Sequence, residues 1–143
     1  MLRLVCIDVD GTLIGESGEP TSGVLDAIKH ARSLGQSLAL STARGAMGPT
    51  ADYASLLNPD GWHIFHAGAS LMHTGSTEIL GEALPEDIIR IGTELSAIHG
   101  WALEYYSSDD YRSMGDSLAG HPLAVAHSEM LGCDFKVGGP SDL

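Results

Sequence analysis

The chain has 143 residues, 43% of them hydrophobic, which is the length and apolar content of one packed domain. Seven Lys and Arg stand against nineteen Asp and Glu, and the resulting formal net charge of −12 repels nucleic acid and anionic membrane surfaces, so neither is expected as a partner. The same field repels phosphorylated small molecules, so phosphate chemistry on this chain needs local positive charge from a metal ion or a few placed cations.

Leu2, Leu4, Val5, Cys6 and Ile7 form a nearly continuous apolar run, the pattern of a strand buried on both faces of a parallel sheet. Met1 leads straight into it with no basic leader, cleavage site or long apolar span, and the expected location is the cytoplasm. Cys6 and Cys133 are too few for a disulfide framework, and Cys6 reads as a small buried hydrophobe in a reducing compartment. After the glycine-rich stretch Gly11 to Pro20, Thr21 or Ser22 caps a helix with Val24, Leu25, Ile28 and Ala31 inward and Gly35 as its stop. A second strand is expected at Ser37 to Ser41, a helix at about Pro49 to Leu57, and a third strand at His63 to His66. Gly68 then separates two further strand pieces, Ser70 to His73 and Glu78 to Leu80.

From about Glu82 the character changes. Pro85 opens a helix with Glu86 and Asp87 in its first turn, Ile88, Ile91, Leu95 and Ile98 at helical spacing, and Gly100 past its end. Trp101 to Tyr106 reads as a strand, and weaker pieces follow around Tyr111 to Met114 and Leu123 to Leu131. The division expected is 1–82 and 83–143, and the fold class is α/β, a Rossmann-like parallel sheet with right-handed crossovers. Ligands of such sheets bind at the C-terminal ends of the strands, where Asp8 with Asp10 and Thr42 with Arg44 converge.

Two aspartates before a glycine are a common turn at a strand end. The whole string VCIDVDGTL, an apolar strand ending in two carboxylates two residues apart, points further. Phosphoryl transfer without an organic cofactor needs a nucleophile, a proton donor for the leaving group and neutralisation of the phosphoryl oxygens. Asp8 is placed to be the nucleophile, with its second oxygen on a metal ion. Asp10 is placed to pass the proton, with its backbone carbonyl as a further metal ligand. Gly11 permits a sharp turn that brings backbone N–H groups to the phosphate, and Thr12 adds a hydroxyl. The pairs His63 with His66 and His121 with His127 match no common zinc spacing.

This string resembles the first motif, DxDGT, of the haloacid dehalogenase (HAD) superfamily, and Asp8 and Asp10 match its nucleophile and acid/base positions. Thr42, with Ser41 as the nearby alternative, is similar to the second motif, which bonds the transferring phosphoryl group. Thr42-Ala43-Arg44 resembles the TGR of the Cof-like branch with Gly replaced by Ala. Ala67-Gly68-Ala69 stands where that branch has Asn-Gly-Ala, and residues 85 to 106 look like the start of its inserted α/β cap. The resemblance implies an apparently incomplete HAD core followed by the beginning of a cap, with Mg²⁺ held by Asp8 and Asp10. The phosphate site it implies is Gly11, Thr12, Thr42 and Arg44. The activity implied is hydrolysis of a small phosphorylated metabolite through an aspartyl-phosphate. The rival readings are a phosphomutase and a non-catalytic remnant that keeps the phosphate half-site.

The family's lysine and late acidic motif find no good match. Gly115-Asp116-Ser117-Leu118 lacks a preceding apolar strand and a second aspartate, and Lys136 follows it in the wrong order, so both are expected in the cap. The chain therefore reads as the N-terminal part of the fold. The first strand is then left as an apolar sheet edge, and we expect it to be covered by a second copy, by swapped segments or by further residues.

Overall fold

The structure is a computed structural model that describes residues 4–107, 111–113 and 121–138. These group into two compact units, one of residues 1–46 and 50–81 and one of residues 47–49 and 82–143. No helix among the described residues is long and apolar enough to cross a membrane.

In the first unit, β1 (Leu4–Ile7) and β2 (Ser37–Leu40) run parallel, with Leu4 opposite Ser37 and Ile7 opposite Leu40. The crossover between them is α1 (Ser22–Ser33), whose N-cap Thr21 accepts from the Val24 amide as the sequence suggests, and whose Ile28 is buried. Helix α2 (Pro49–Leu57) follows, with proline in its first turn and Tyr53, Ala54 and Leu57 buried. Strand β3 (Trp62–Phe65) begins and ends one residue earlier than expected, because His66 already turns away at φ 51°. It joins β2 in parallel through a single bridge, Ser41 to Ile64, and then starts an antiparallel meander with β4 (Ser70–His73) and β5 (Ile79–Gly81). The α/β class and the parallel start of the sheet are therefore as the sequence indicates.

His63 supplies what the short β2–β3 ladder lacks. Its ring is fully buried; Nδ1 accepts from the Leu40 amide at 2.9 Å, and Nε2 lies 2.9 Å from the Asn58 carbonyl. Those two partners require the neutral tautomer with the proton on Nε2. Burial lowers the pKa of this ring, and also that of His66.

The core of this unit gathers Val9, Leu13, Ile14, Ile28, Leu38, Leu40, Tyr53, Ala54, Leu57 and Phe65. Strand β1 departs from its expected burial. Leu4 is 51% and Val5 42% exposed, and Cys6 is exposed as well. The apolar run is that of a central strand, but β2 is its sole strand partner among the described residues.

The second unit contains α3 (Glu86–His99), β6 (Glu104–Tyr106), β7 (Tyr111–Ser113), α4 (Pro122–Leu131) and β8 (Lys136–Val137). The three strands form one sheet in the order β6-β7-β8, antiparallel and then parallel. Lys136 lies in β8, and Asp109, Asp110 and the Gly115-to-Leu118 motif lie outside the described residues.

Helix α3 ends at Gly100 in the left-handed region, as its sequence indicates, but turns the other way from the expected face. Ile88, Ile91, Leu95 and Ile98 are 48%, 43%, 40% and 74% exposed, whereas Ser96 is buried and Ile89, Gly92 and Thr93 are half-buried. Hydroxyls decide the face: the Thr93 and Tyr105 hydroxyls bond to each other, and Ser96 Oγ donates to the Trp101 carbonyl. Strand β6 is also shorter than expected, because the Trp101 amide returns to the Ser96 carbonyl at 3.1 Å and the Trp101 ring stacks on His99. Those residues finish the helix instead of joining the sheet.

Burial disfavours the charged forms of His63 and His66, so their folded pKa values lie below the ordinary 6.5 of the unfolded chain. Their contribution to stability is complete above that pH and is lost as the pH falls below it towards the folded values. Urea midpoints should be constant just above neutrality and decline from pH 6.5 to pH 5; a midpoint that rises over this interval contradicts the assignment.

Candidate active site

The site lies at the C-terminal end of β1 and is built by one buried residue between two exposed ones. Val9 is fully buried while Asp8 and Asp10 are exposed, so both carboxylates project from the same side of a chain anchored between them. The Val9 carbonyl then accepts from the amides of Thr12, Leu13 and Ile14, and Leu13 and Ile14 drop back into the core. Gly11 makes this reversal at φ +74°. Its amide donates to the Ile14 carbonyl at 3.0 Å, and its backbone supplies the sharp turn that the sequence suggests. The Thr12 amide is likewise turned inward, to Val9, while its side chain remains exposed. The Val9 and Asp10 amides meet no carbonyl among the described residues.

Thr42 and Arg44 come to the same place from the end of β2. Thr42 is 4% exposed, its amide donates to Ile64, and its hydroxyl oxygen accepts from the Arg44 amide at 3.2 Å, which leaves the hydroxyl proton available to another acceptor. Arg44 is buried. Its side chain is 7% exposed, and it grips Asp10 with two bonds, Nε to Oδ2 at 3.0 Å and Nη2 to Oδ1 at 2.6 Å. The Asp10 carboxylate raises the guanidinium pKa further, so the charge is permanent.

A turn that sequence reasoning noted only for its missing Asn holds this loop. His66, Ala67 and Gly68 have φ of 51°, 54° and 100° in succession. The His66 amide donates to the Arg44 carbonyl and the Ala67 amide to the Thr42 carbonyl, both at 3.0 Å. The Asn that Ala67 replaces is among the non-glycine residues that best tolerate a left-handed conformation. Tyr53 adds a further tie that its helix pattern does not announce, donating its hydroxyl to the Gly18 carbonyl at 2.9 Å.

No group of three His, Cys, Asp or Glu that could hold a metal ion occurs among the described residues. The exposed Asp8 carboxylate and the Asp10 carbonyl, which accepts from no amide among the described residues, are nevertheless two oxygen donors at one strand end. Mg²⁺ is commonly held by one or two carboxylates with water and phosphate oxygens completing its shell, so this donor set fits it.

The α/β sheet with a DxDGT turn at its first strand is the combination on which the sequence resembles the HAD superfamily, and comparison places the chain there. The profile of the haloacid dehalogenase-like hydrolases matches residues 5–118, and the chain belongs to that family. The candidate phosphatase YxeH of Bacillus subtilis is 32% identical over 84 residues, 57% of this chain and 31% of that protein. Among solved structures, a haloacid dehalogenase-like hydrolase from Bacteroides thetaiotaomicron superposes with a TM-score of 0.78 at 17% identity, covering 96% of this chain and 52% of its own. A subclass IIB sugar phosphatase of the HAD superfamily gives 0.80 at 15% identity, with coverage of 98% and 54%. The chain thus spans about half the length of these structures and carries their fold over nearly all of its own.

The two left-handed sites should respond oppositely to exchange. A Cβ at Gly11 meets no atom within 4 Å, so Gly11→Ala pays only for backbone strain and should cost about 1 kcal/mol, whereas Ala67→Gly should gain up to about 1 kcal/mol. Chemical denaturation of the two variants checks this, and equal signs refute it.

Proposed function

We propose that the protein acts as a Mg²⁺-dependent phosphatase on a small phosphorylated metabolite, through an aspartyl-phosphate on Asp8. The observation that carries this reading is the pair of exposed carboxylates held on either side of buried Val9, with the Thr42 hydroxyl and the Arg44–Asp10 pair brought to them from β2. The family and the phosphatase names among its relatives support it, and the sugar phosphatase among the structural neighbours favours a sugar phosphate as substrate.

An Asp8 oxygen attacks phosphorus, the bond to the leaving oxygen breaks, and Asp10 gives that oxygen its proton. Water then attacks the phospho-aspartate, Asp10 takes a proton from it, and inorganic phosphate leaves Asp8 free. Thr42 donates its hydroxyl proton to a phosphoryl oxygen, and the Val9 and Asp10 amides would do the same. Asp8 and the Asp10 carbonyl would hold Mg²⁺, which supplies the positive charge that a chain of net charge −12 lacks. The expected setting is the cytoplasm, where free Mg²⁺ and phosphorylated metabolites meet.

Purified protein should hydrolyse p-nitrophenyl phosphate with Mg²⁺, and Asp8→Asn should abolish that activity. Absence of hydrolysis in the unaltered chain would favour a phosphate-binding remnant, and transfer to a second sugar hydroxyl instead of water a phosphomutase.

The reading extends to a partner at the edge of β1, where exposed Leu4 and Val5 flank a strand border with no strand partner among the described residues. A second copy of the chain is expected to pair there. Sedimentation should detect self-association that Val5→Lys weakens; a monomer at all concentrations opposes it.

A further inference from the structure

We propose that Arg44 is a positioning residue, whose buried guanidinium fixes the direction of the Asp10 carboxylate instead of holding the substrate phosphate. The inference rests on the phosphatase reading for the role of Asp10, and of the two roles that the resemblance leaves open for Arg44, ordering the site or the substrate, it selects the first and names the group that is ordered.

Exposure is the first argument. The Arg44 side chain is 7% exposed and that of Asp10 is 52% exposed, so the side of the pair that faces solvent is the carboxylate. An anion arriving from solvent meets Asp10 before it meets the guanidinium. Geometry is the second. Nε and Nη2 engage both oxygens of Asp10, a planar fork on a planar carboxylate that fixes both distance and rotation. The base of the arm is fixed as well, because the Arg44 amide donates to Thr42 Oγ1 and its carbonyl accepts from His66. To reach a phosphate, the guanidinium would have to break two charge-assisted bonds and leave a buried site.

The pairing does not silence Asp10. A carboxylate has about four lone-pair directions, and the fork takes two of them. The remainder stay open to a leaving-group oxygen or a water, now in a fixed direction, and a small error in aim at this step is costly in rate. Lysine cannot replace the fork, since it offers one point charge where two parallel donors are needed.

Hydrolysis of p-nitrophenyl phosphate by the full chain, Arg44→Lys and Arg44→Ala separates the two roles. A positioning role predicts kcat reduced roughly 100-fold in both variants with KM within about threefold, and no rescue by lysine. A KM raised about tenfold with kcat retained, or recovery with lysine, overturns it. Proton–nitrogen NMR of the unaltered chain gives an answer independent of turnover. The Arg44 Nε–H resonance should be protected from solvent exchange, displaced by Asp10→Asn and unmoved by inorganic phosphate. A rapidly exchanging resonance, one indifferent to Asp10→Asn, or one that shifts with phosphate overturns the inference. Failure of the unaltered chain to hydrolyse the ester sinks the phosphatase reading alone, and the NMR result still decides whether Arg44 fixes Asp10.

Discussion

Val9 couples the fold to its chemistry, since its side chain is buried without remainder and its carbonyl gathers three amides of the following turn. A residue so anchored leaves its two neighbours no choice of side. Asp8 and Asp10 are thrust out together, and the chain must reverse at once, which a glycine at positive φ accomplishes. The site is therefore a consequence of core packing at a strand end. Exchange of Val9 for a polar residue would leave the aspartates chemically intact and aimed nowhere in particular.

A second layer of constraint comes from β2 and β3. Thr42 and Arg44 are held by their own local bonds and by the left-handed turn at His66 to Gly68, whose amides reach back to both residues. His63 secures the strand that carries this turn by capping the Leu40 amide with a ring nitrogen. The chain of support thus runs from Asn58 and His63, through the β3 turn, to Arg44 and finally to Asp10. Apart from the stretch of chain from His63 to His66, each link is a hydrogen bond to a main-chain group or a carboxylate. The second unit has its own fixed point. The Glu104 carboxylate accepts from the Tyr106 and Tyr111 hydroxyls at 2.9 and 2.7 Å and lies 2.6 Å from His127 Nδ1, which ties β6, β7 and α4 together. Burial first, and then this carboxylate, drives both phenol pKa values well above their ordinary range, so the phenols remain donors.

The motif at the end of β1 was legible in the sequence because its signal is local: an apolar run, two acids and a glycine within nine residues. Thr42 and Arg44 were legible for the same reason. The bidentate grip of Arg44 on Asp10 spans 34 residues and leaves no trace in local spacing. Periodicity found α3 but misjudged its orientation, since an apolar stripe at helical spacing does not say what covers it, and the hydroxyls of Thr93 and Ser96 set the buried face. The run Leu4 to Ile7 correctly marked a strand yet overstated its burial, because composition records the capacity for neighbours and not their presence. Local spacing says nothing of the part His63 plays, and only its two main-chain partners reveal that it supplements a short ladder.

The edge of β1, without a strand neighbour on that side among the described residues, coexists with a net charge of −12, and the two oppose each other over distance. Like charges keep copies apart at ranges up to the Debye length, about 8 Å at physiological ionic strength, whereas apolar strand pairing acts only at contact. Raising the salt concentration shortens the first interaction and leaves the second intact, and a strongly excluded salt such as sulfate strengthens it. Pairing of copies at this edge would therefore strengthen as ionic strength rises, in the direction opposite to that of an interface held by ion pairs.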